Sequence, residues 1–251
     1  ALVKGQPVST FYSYRFIGLS PVDGGPLFDD YSEQVDLLKN LNKYETFTTV
    51  LKPTGKRDPS MSGSVYNNFI WKRFRANLTL AYSLGAKLRQ SRILAQRPAD
   101  DENRFIYSEF NANRALLNRW KAPGDEKNTI IPAIIGTNQP GYYAYNRHWT
   151  QQGGYEGIIF AETAWDMYDY CDARVVSGNY LKCSNVSVAY VLPEKWLKTV
   201  RISRFEATLS ATNLFTVCSK KLKGQTPTQS VFSQVQLSDR PTISLGFNVS
   251  F

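Results

Sequence analysis

The last ten residues of the chain, TISLGFNVSF, alternate strictly between two kinds of side chain. The apolar positions are Ile243, Leu245, Phe247, Val249 and Phe251. Threonine, serine, asparagine or glycine stands at every position between them. Because successive side chains of a strand point to opposite faces, this spacing predicts a β-strand with one apolar face and one small, polar face.

Five further segments are predicted as strands, because β-prone residues dominate them. They are residues 10–19, 63–71, 74–85, 180–192 and 204–215. The last three alternate cleanly, whereas 10–19 and 63–71 alternate less well. The sequence therefore predicts an all-β chain with about six antiparallel strands.

The connections between these strands alternate between long and short. The tight turn Lys72-Arg73-Phe74 and the link 193–203 are short, whereas 20–62, 86–179 and 216–240 are long. Compact soluble domains rarely contain such long connections. Transmembrane β-barrels have short periplasmic turns and long extracellular loops, and the predicted strands follow this order throughout. A soluble β-sandwich is the alternative, although its turns normally recur every 8–12 residues.

Other features exclude several function classes. The net charge of +9 lies in short runs that we interpret as solvated loops, so no nucleic-acid partner is expected. The only histidine, His148, has no GxSxG motif to accompany it, so neither catalytic nor metal-binding residues are predicted. Because Cys171, Cys183 and Cys218 are an odd number, one disulfide at most could form, and free thiols are expected. Residues 101–121 are predicted to contain a helix.

The C-terminal strand resembles the signal that the assembly machinery of bacterial outer-membrane barrels reads. The matching residues are Ser244, Gly246, Val249 and Phe251. More widely, the chain resembles the C-terminal part of SusC/RagA-family TonB-dependent outer-membrane transporters. The matching stretches include YRFIGLSPVDGGPLF (14–28), FIWKRFRANLTLAYSLGAKL (69–88), LLNRWKAPGDEKNTIIPA (116–133), YLKCSNVSVAYVLPEKWLKTVRIS (180–203) and LSATNLFT (209–216). Cys183 departs from this pattern.

This resemblance implies a 22-stranded transmembrane β-barrel with an N-terminal plug. Residues 1–251 would be the C-terminal part of the barrel domain, with extracellular loops 20–62, 86–179 and 216–240 and the plug outside this chain. Six strands cannot close into a barrel, and open edges in lipid leave backbone groups without partners. The rest of the same transporter, as a separate chain or as more of this one, is therefore an expected partner.

The resemblance also implies a function. Family members import oligosaccharides, and some import peptides, across the outer membrane of Bacteroidetes. A SusD-like surface lipoprotein captures the substrate, and TonB-ExbB-ExbD would act through the absent part. Outer-membrane lipid is a further partner, and no cofactor or enzymatic activity is implied. The alternatives are a passive outer-membrane porin and a soluble β-rich binding or adhesin domain.

Two groups of residues are candidates for the transport site. Polar positions of the strand at 204–215 are expected to face the barrel lumen: Arg204, Glu206, Thr208 and Ser210. Aromatic residues of the longest loop are candidates for contact with the substrate or the lipoprotein lid: Trp149, Tyr155, Trp165 and Tyr168. The alternative for each aromatic residue is that it only packs within the loop.

Overall fold

The computed structural model describes most of the chain, and its strands fall into one large sheet and several small ones. The described residues are 2–29, 34–93, 114–135, 138–139, 164–198, 201–222, 226–228 and 239–251. The chain divides into two compact units. The loop unit comprises Ala1–Gly55 and Arg89–Val175, and the sheet unit comprises Lys56–Leu88 and Val176–Phe251.

Strands outnumber helices in the described residues. The strands are β1 (Thr10–Ser13), β2 (Phe16–Leu19), β3 (Pro26–Phe28), β4 (Lys52–Lys56), β5 (Met61–Trp71), β6 (Phe74–Leu84), β7 (Lys87–Arg89), β8 (Val175–Ser177), β9 (Tyr180–Val191), β10 (Arg204–Cys218) and β11 (Thr242–Ser250). The α-helices are α1 (Val35–Lys39), α2 (Lys43–Val50), α3 (Ala164–Asp169) and α4 (Glu194–Leu197). Short 3₁₀ helices span Arg114–Asn118, Asp125–Lys127, Asp172–Arg174 and Lys220–Leu222. In the part of the chain that is described, no helix is long and apolar enough to cross a membrane.

The sheet unit is built on a five-stranded antiparallel sheet in the order β11-β10-β9-β6-β5. These are five of the six predicted strands, and each pairs with its neighbour in chain order. Within the described residues, β5 and β11 form the two edges of the sheet. The sequence alternation is clear in β6, β9, β10 and β11, where each face has its own kind of side chain, and it is weaker in β5.

The register confirms the two faces. One row across the sheet is polar throughout: Ser244, Ser210, Ser187, Asn77 and Asn68. The next row, on the opposite face, is apolar: Leu245, Leu209, Val188, Ala76 and Phe69. Residues directly opposite each other on paired strands share a face, so the sheet has one mainly polar face and one mainly apolar face.

Two short connections join the strands at one end of the sheet, as predicted. Lys72 and Arg73 form the turn between β5 and β6, and Trp71 pairs directly with Phe74 across it. Lys72 has φ 50°, which is the left-handed conformation that two-residue hairpin turns favour. Between β9 and β10, helix α4 buries Leu197.

Two register shifts modify the alternation towards the other end. β9 has an extra residue against β6 between Thr79 and Leu80, and β10 has one against β9 between Thr212 and Phe215. Asn213, inside the second shift, has φ 52°. Such bulges move a strand's side chains to the other face. They therefore explain why Cys183 shares the apolar face with Val186, three residues along β9.

The prediction of one strand over 10–19 is wrong. The segment forms two short strands, β1 and β2, which pair with β4 and β3 and do not join the large sheet. Ser13 and Tyr14 are both buried, although they are consecutive. A strand with one buried face cannot bury two successive side chains, so the segment breaks between them.

The loop unit has a conventional hydrophobic interior. Its larger core cluster includes Tyr14, Phe28, Leu38, Leu116 and Tyr168, and a second cluster is built around Trp120 and Trp165. Helix α2 begins with a capping box, in which Asn42 and Glu45 each accept the other's backbone N–H, at 3.0 and 3.1 Å. Most of the predicted helix at 101–121 lies outside the described residues, and its end forms the 3₁₀ turn at Arg114–Asn118.

Candidate functional site

The polar face of the sheet carries a line of hydrogen-bonded side chains. The Tyr66 hydroxyl donates to Asn77 Oδ1 at 3.0 Å, and Asn77 Nδ2 donates to Ser187 Oγ at 3.3 Å. These residues come from β5, β6 and β9, so the line crosses three strands. A surface of hydroxyl and amide groups can hydrogen-bond to water or to a polar ligand, because it has both donors and acceptors.

Towards the end with the short connections, this face carries a charged cluster. The Glu206 carboxylate on β10 accepts a hydrogen bond from Arg204 Nη2 at 2.8 Å and a second hydrogen bond from Arg75 Nη2 on β6. Two guanidinium groups share one carboxylate, so the cluster has one net positive charge. Both hydrogen bonds are charge-assisted, so each is stronger than a hydrogen bond between neutral groups.

The four predicted lumen residues lie on this polar face. On β11 their partners are Ser250, Asn248, Gly246 and Ser244, for Arg204, Glu206, Thr208 and Ser210 respectively. The structure thus brings the four together on one surface, and their role in a lumen stays a prediction. The sequence did not single out Arg75, Tyr66 or Ser187. Alternation identified Arg75 as polar, but only the strand register places it beside Glu206.

The apolar face is exposed. Leu209 on the inner strand β10 is 54% exposed, and Leu245 on β11 is 63% exposed. Other exposed apolar side chains on the same face come from β5, β9, β10 and β11: Phe69, Val188, Val217, Ile243 and Phe247. A contiguous apolar surface of this kind marks a region that another apolar phase covers, either a protein or a lipid.

An aromatic row borders the apolar face at the end with the short connections. The row consists of Trp71, Phe74, Tyr190, Phe205 and Phe247. Ring centroids are 6.2 Å apart for Trp71 and Phe74, 4.5 Å for Phe74 and Tyr190, and 5.7 Å for Phe205 and Phe247. Aromatic side chains at the border of an apolar band are typical of proteins that sit at a membrane–water interface.

Strand length is a further property of this sheet. β5 and β6 have 11 residues each, β9 has 12, β10 has 15 and β11 has 9. A tilted strand needs about 9–11 residues to cross the hydrocarbon core of a bilayer. All five strands reach that length.

The residues of the C-terminal signal are distributed over both faces of β11. Ser244 and Gly246 are on the polar face, Val249 is on the apolar face, and Phe251 follows the strand. A Cβ atom built on Gly246 would lie 4.0 Å from the Thr208 carbonyl oxygen, which is an ordinary contact. Packing against β10 therefore does not require glycine at 246.

The candidate contact residues of the longest loop divide into two pairs. Trp149 and Tyr155 lie outside the described residues. Trp165 and Tyr168 are 2% and 1% exposed, each in a core cluster of the loop unit. Burial raises the pKa of Tyr168 to about 12. These two side chains have almost no surface that a ligand could contact. They pack within the loop unit, which is the alternative to a contact role.

A buried ion pair that no sequence motif predicts lies beside Tyr168. Arg174 Nε is 3.5 Å from Asp169 Oδ1, and both side chains are buried. The Ile93 N–H donates to the same carboxylate oxygen at 3.3 Å. Burial raises the pKa of Asp169 to about 6, although the nearby Arg174 opposes the shift. In the described part of the chain, no three His, Cys, Asp or Glu side chains are grouped to hold a metal ion.

These features define a mainly β protein whose antiparallel sheet has a polar face and an exposed apolar face. No protein-family model matches the sequence, and curated protein sequences give no match either. Solved structures do match. The RagAB peptide importer in its open-open state gives a TM-score of 0.56 at 16% identity, over 100% of this chain and 24% of that one.

Two more solved structures match in the same way. The RagAB peptide transporter gives a TM-score of 0.56 at 18% identity, over 96% of this chain and 22% of that one. The closed-closed state of the importer gives 0.56 at 16% identity, over 100% and 25%. This chain therefore spans about a quarter of the length of the chains it matches. At these identities the likeness shows the fold.

Proposed function

We propose that this chain is part of the β-barrel of an outer-membrane transporter of the SusC/RagA type. One observation carries the proposal: the five-stranded sheet exposes an apolar face that ends in an aromatic row, and its other face is polar. Lipid would cover the apolar face, because strands of this length match the thickness of a bilayer. The likeness in fold to RagAB supports the same conclusion.

In this arrangement the polar face lines the lumen. Arg204, Glu206, Thr208 and Ser210 contact water, substrate or a plug domain, and Arg75 joins them through Glu206. The edges β5 and β11 pair with the rest of the transporter, because free strand edges in lipid leave backbone groups without hydrogen bonds. Ser244, Gly246, Val249 and Phe251 form the assembly signal of the closing strand.

The activity we propose is TonB-dependent import with a SusD-like surface lipoprotein as the lid, without any bond-breaking chemistry. Energy comes from TonB-ExbB-ExbD through the part of the transporter outside this chain. The similar structures are those of a peptide importer, so we favour peptides over oligosaccharides as substrate. Trp149 and Tyr155 remain candidates for contact with substrate or lid.

Deletion of the gene tests the activity. We expect the deletion strain to lose uptake of peptides supplied as the sole nitrogen source, and the intact strain to lose it when TonB is absent. Loss of oligosaccharide uptake instead would identify the other substrate class. Uptake that persists without TonB would support a passive porin and contradict the proposal.

Fractionation tests the location independently. The proposal requires the protein to remain in the outer-membrane fraction after a high-salt wash, to need detergent for extraction, and to copurify with a surface lipoprotein. A protein that is monodisperse in buffer without detergent would favour the soluble binding or adhesin domain.

A further inference from the structure

The two short connections of the sheet carry a concentration of positive charge. The turn after β5 and the link after β9 contain Lys72, Arg73, Lys195, Lys198 and Arg201, and all five side chains are exposed. We call these five residues the basic collar. Glu194 is the single acidic residue of the same two connections, so the collar has a net charge of about +4 at neutral pH.

Backbone hydrogen bonds keep the collar at one end of the sheet. The Val191 N–H donates to the Arg73 carbonyl at 3.0 Å, and the Leu192 N–H donates to the Phe205 carbonyl at 2.9 Å. The Ser203 N–H donates to the Ser250 carbonyl at 2.8 Å. The turn, the link and the last strand are therefore joined, and the charges lie at one edge of a continuous sheet.

Within the described part of the chain, no ion pair engages a collar side chain. Among the described residues, the ion pairs of the sheet unit involve other basic side chains. Arg75 and Arg204 pair with Glu206, and Lys182 pairs with Asp239. One collar side chain contacts an aromatic ring: Lys72 Nζ lies 5.1 Å from the centre of the Trp71 ring. The collar therefore has unused donors for an anion from outside the chain.

Aromatic side chains surround the collar at the same level. The aromatic row begins directly beside the turn at Trp71, and Trp196 is exposed between Lys195 and Lys198. Tryptophan and tyrosine concentrate where lipid headgroups meet the hydrocarbon. Lysine and arginine close to that level are attracted to anionic headgroups. An acidic protein segment would use the charges but would not account for the adjacent aromatic row.

We propose that the basic collar binds the phosphates of anionic phospholipids in the leaflet next to the short turns. The proposal rests on the proposed function, since it requires the apolar face to lie in a bilayer. It adds a specific lipid contact, with the five basic side chains as donors and the phosphodiester oxygens of the lipid as acceptors.

Tryptophan quenching in nanodiscs tests this contact in the full-length, assembled protein. Two nanodisc preparations contain the same fraction of brominated lipid, either as phosphatidylglycerol or as phosphatidylethanolamine. Trp71 and Trp196 lie at the collar, so we expect the anionic brominated lipid to quench more strongly. The preference should weaken at high salt, because screening reduces attraction between exposed charges.

Two triple variants locate the effect. K72Q/K195Q/K198Q removes three exposed lysines of the collar, and K87Q/K220Q/K221Q removes three exposed lysines beyond the opposite ends of β6 and β10. We expect the collar variant to lower the preference for phosphatidylglycerol by at least about fivefold, since one lysine near an anionic surface contributes about that factor. The control variant should retain the preference.

The possible results separate this inference from the proposed function. Equal quenching by the two lipids, or equal loss in the two variants, would overturn the collar assignment and point to an acidic protein segment as the anion. Absence of quenching by either lipid would overturn the membrane location, and the collar assignment with it.

Discussion

The two units of the chain treat the same kinds of side chain in opposite ways. In the loop unit, Trp165 and Phe28 are buried, and Arg174 is buried with its carboxylate partner. In the sheet unit, Trp71 and Phe247 are exposed, and charged side chains occupy the opposite face. The loop unit is organised like a water-soluble domain. The apolar side chains of the sheet unit are removed from water only if something outside the described chain covers them.

The largest expected effect concerns the interior of the loop unit. Trp165→Ala removes a fully buried ring, and truncations of this kind cost about 3–5 kcal/mol because a cavity remains. Backbone amide exchange around α3 measures the loss as faster exchange. Tyr44→Ala on α2, where the ring is half exposed, is the control and should change exchange far less. Equal effects of the two substitutions would contradict a buried interior around Trp165.

The second prediction concerns the exposed face of the sheet. Leu209→Lys should lower the stability of the membrane-inserted protein by about 2–4 kcal/mol, the cost of a lysine facing lipid near the midplane. The urea midpoint of the protein in vesicles measures this change.

Two controls define the prediction for Leu209. Ser210→Lys adds the same charge one residue along, on the polar face. Ile17→Lys places it at a similarly exposed apolar residue of the loop unit, where we expect a change within about 0.5 kcal/mol. If Leu209→Lys is as mild as Ile17→Lys, water covers the apolar face and the contrast between the units disappears.

The third prediction uses the buried carboxyl of the loop unit. The pKa of Asp169 is raised from 3.8 to about 6, chiefly by burial, so the folded state binds the proton more tightly than the unfolded state. The resulting stability is fully present below the unfolded pKa and is lost as the pH rises through the folded pKa. The loss of stability from pH 4 to pH 7 amounts to about 2 kcal/mol.

Amide exchange of the loop unit against pH measures this contribution as a difference between two proteins. Asp169→Asn has no carboxyl to titrate at this position, so it should lack the part of the pH dependence that Asp169 contributes. Asp166→Asn keeps the Asp169 carboxyl and should retain that part. A pH dependence that is the same in wild type and Asp169→Asn would show that the carboxyl does not titrate in this range.

The sequence was most informative where each face of a strand has its own kind of residue. The alternation of Leu245 and Ser244 predicted both faces of β11, and the tight turn predicted at Lys72-Arg73-Phe74 is the hairpin between β5 and β6, one residue shorter than predicted. It failed at 10–19, where β-prone residues are used in two short strands with buried side chains at consecutive positions. β-Propensity describes a residue's fit to a strand and does not say how far the strand continues.

The candidate site was also predictable only in part. Alternation gave the polar positions of β10, but only the register across β9 brings Arg75 to Glu206. Aromatic content alone could not separate a contact residue from a core residue, and Trp165 and Tyr168 belong to the core. The buried pair of Asp169 and Arg174 joins residues whose spacing gives no motif.

The smallest expected change in stability is at Gly246 in the sheet unit, and Gly24 in the loop unit is its comparison. At Gly246 on β11, a Cβ atom would meet only the Thr208 carbonyl oxygen, at 4.0 Å, so Gly246→Ala should change the stability of the assembled protein by less than about 0.5 kcal/mol. Gly24 in the loop unit has φ 71°, and a Cβ there would lie 2.4 Å from the Trp120 ring. Gly24→Ala should therefore be clearly destabilising.

If Gly246 belongs to the assembly signal, Gly246→Ala will reduce the amount of protein that reaches the outer membrane while its urea midpoint stays unchanged. A lowered midpoint would instead assign the glycine to packing against a strand beyond β11.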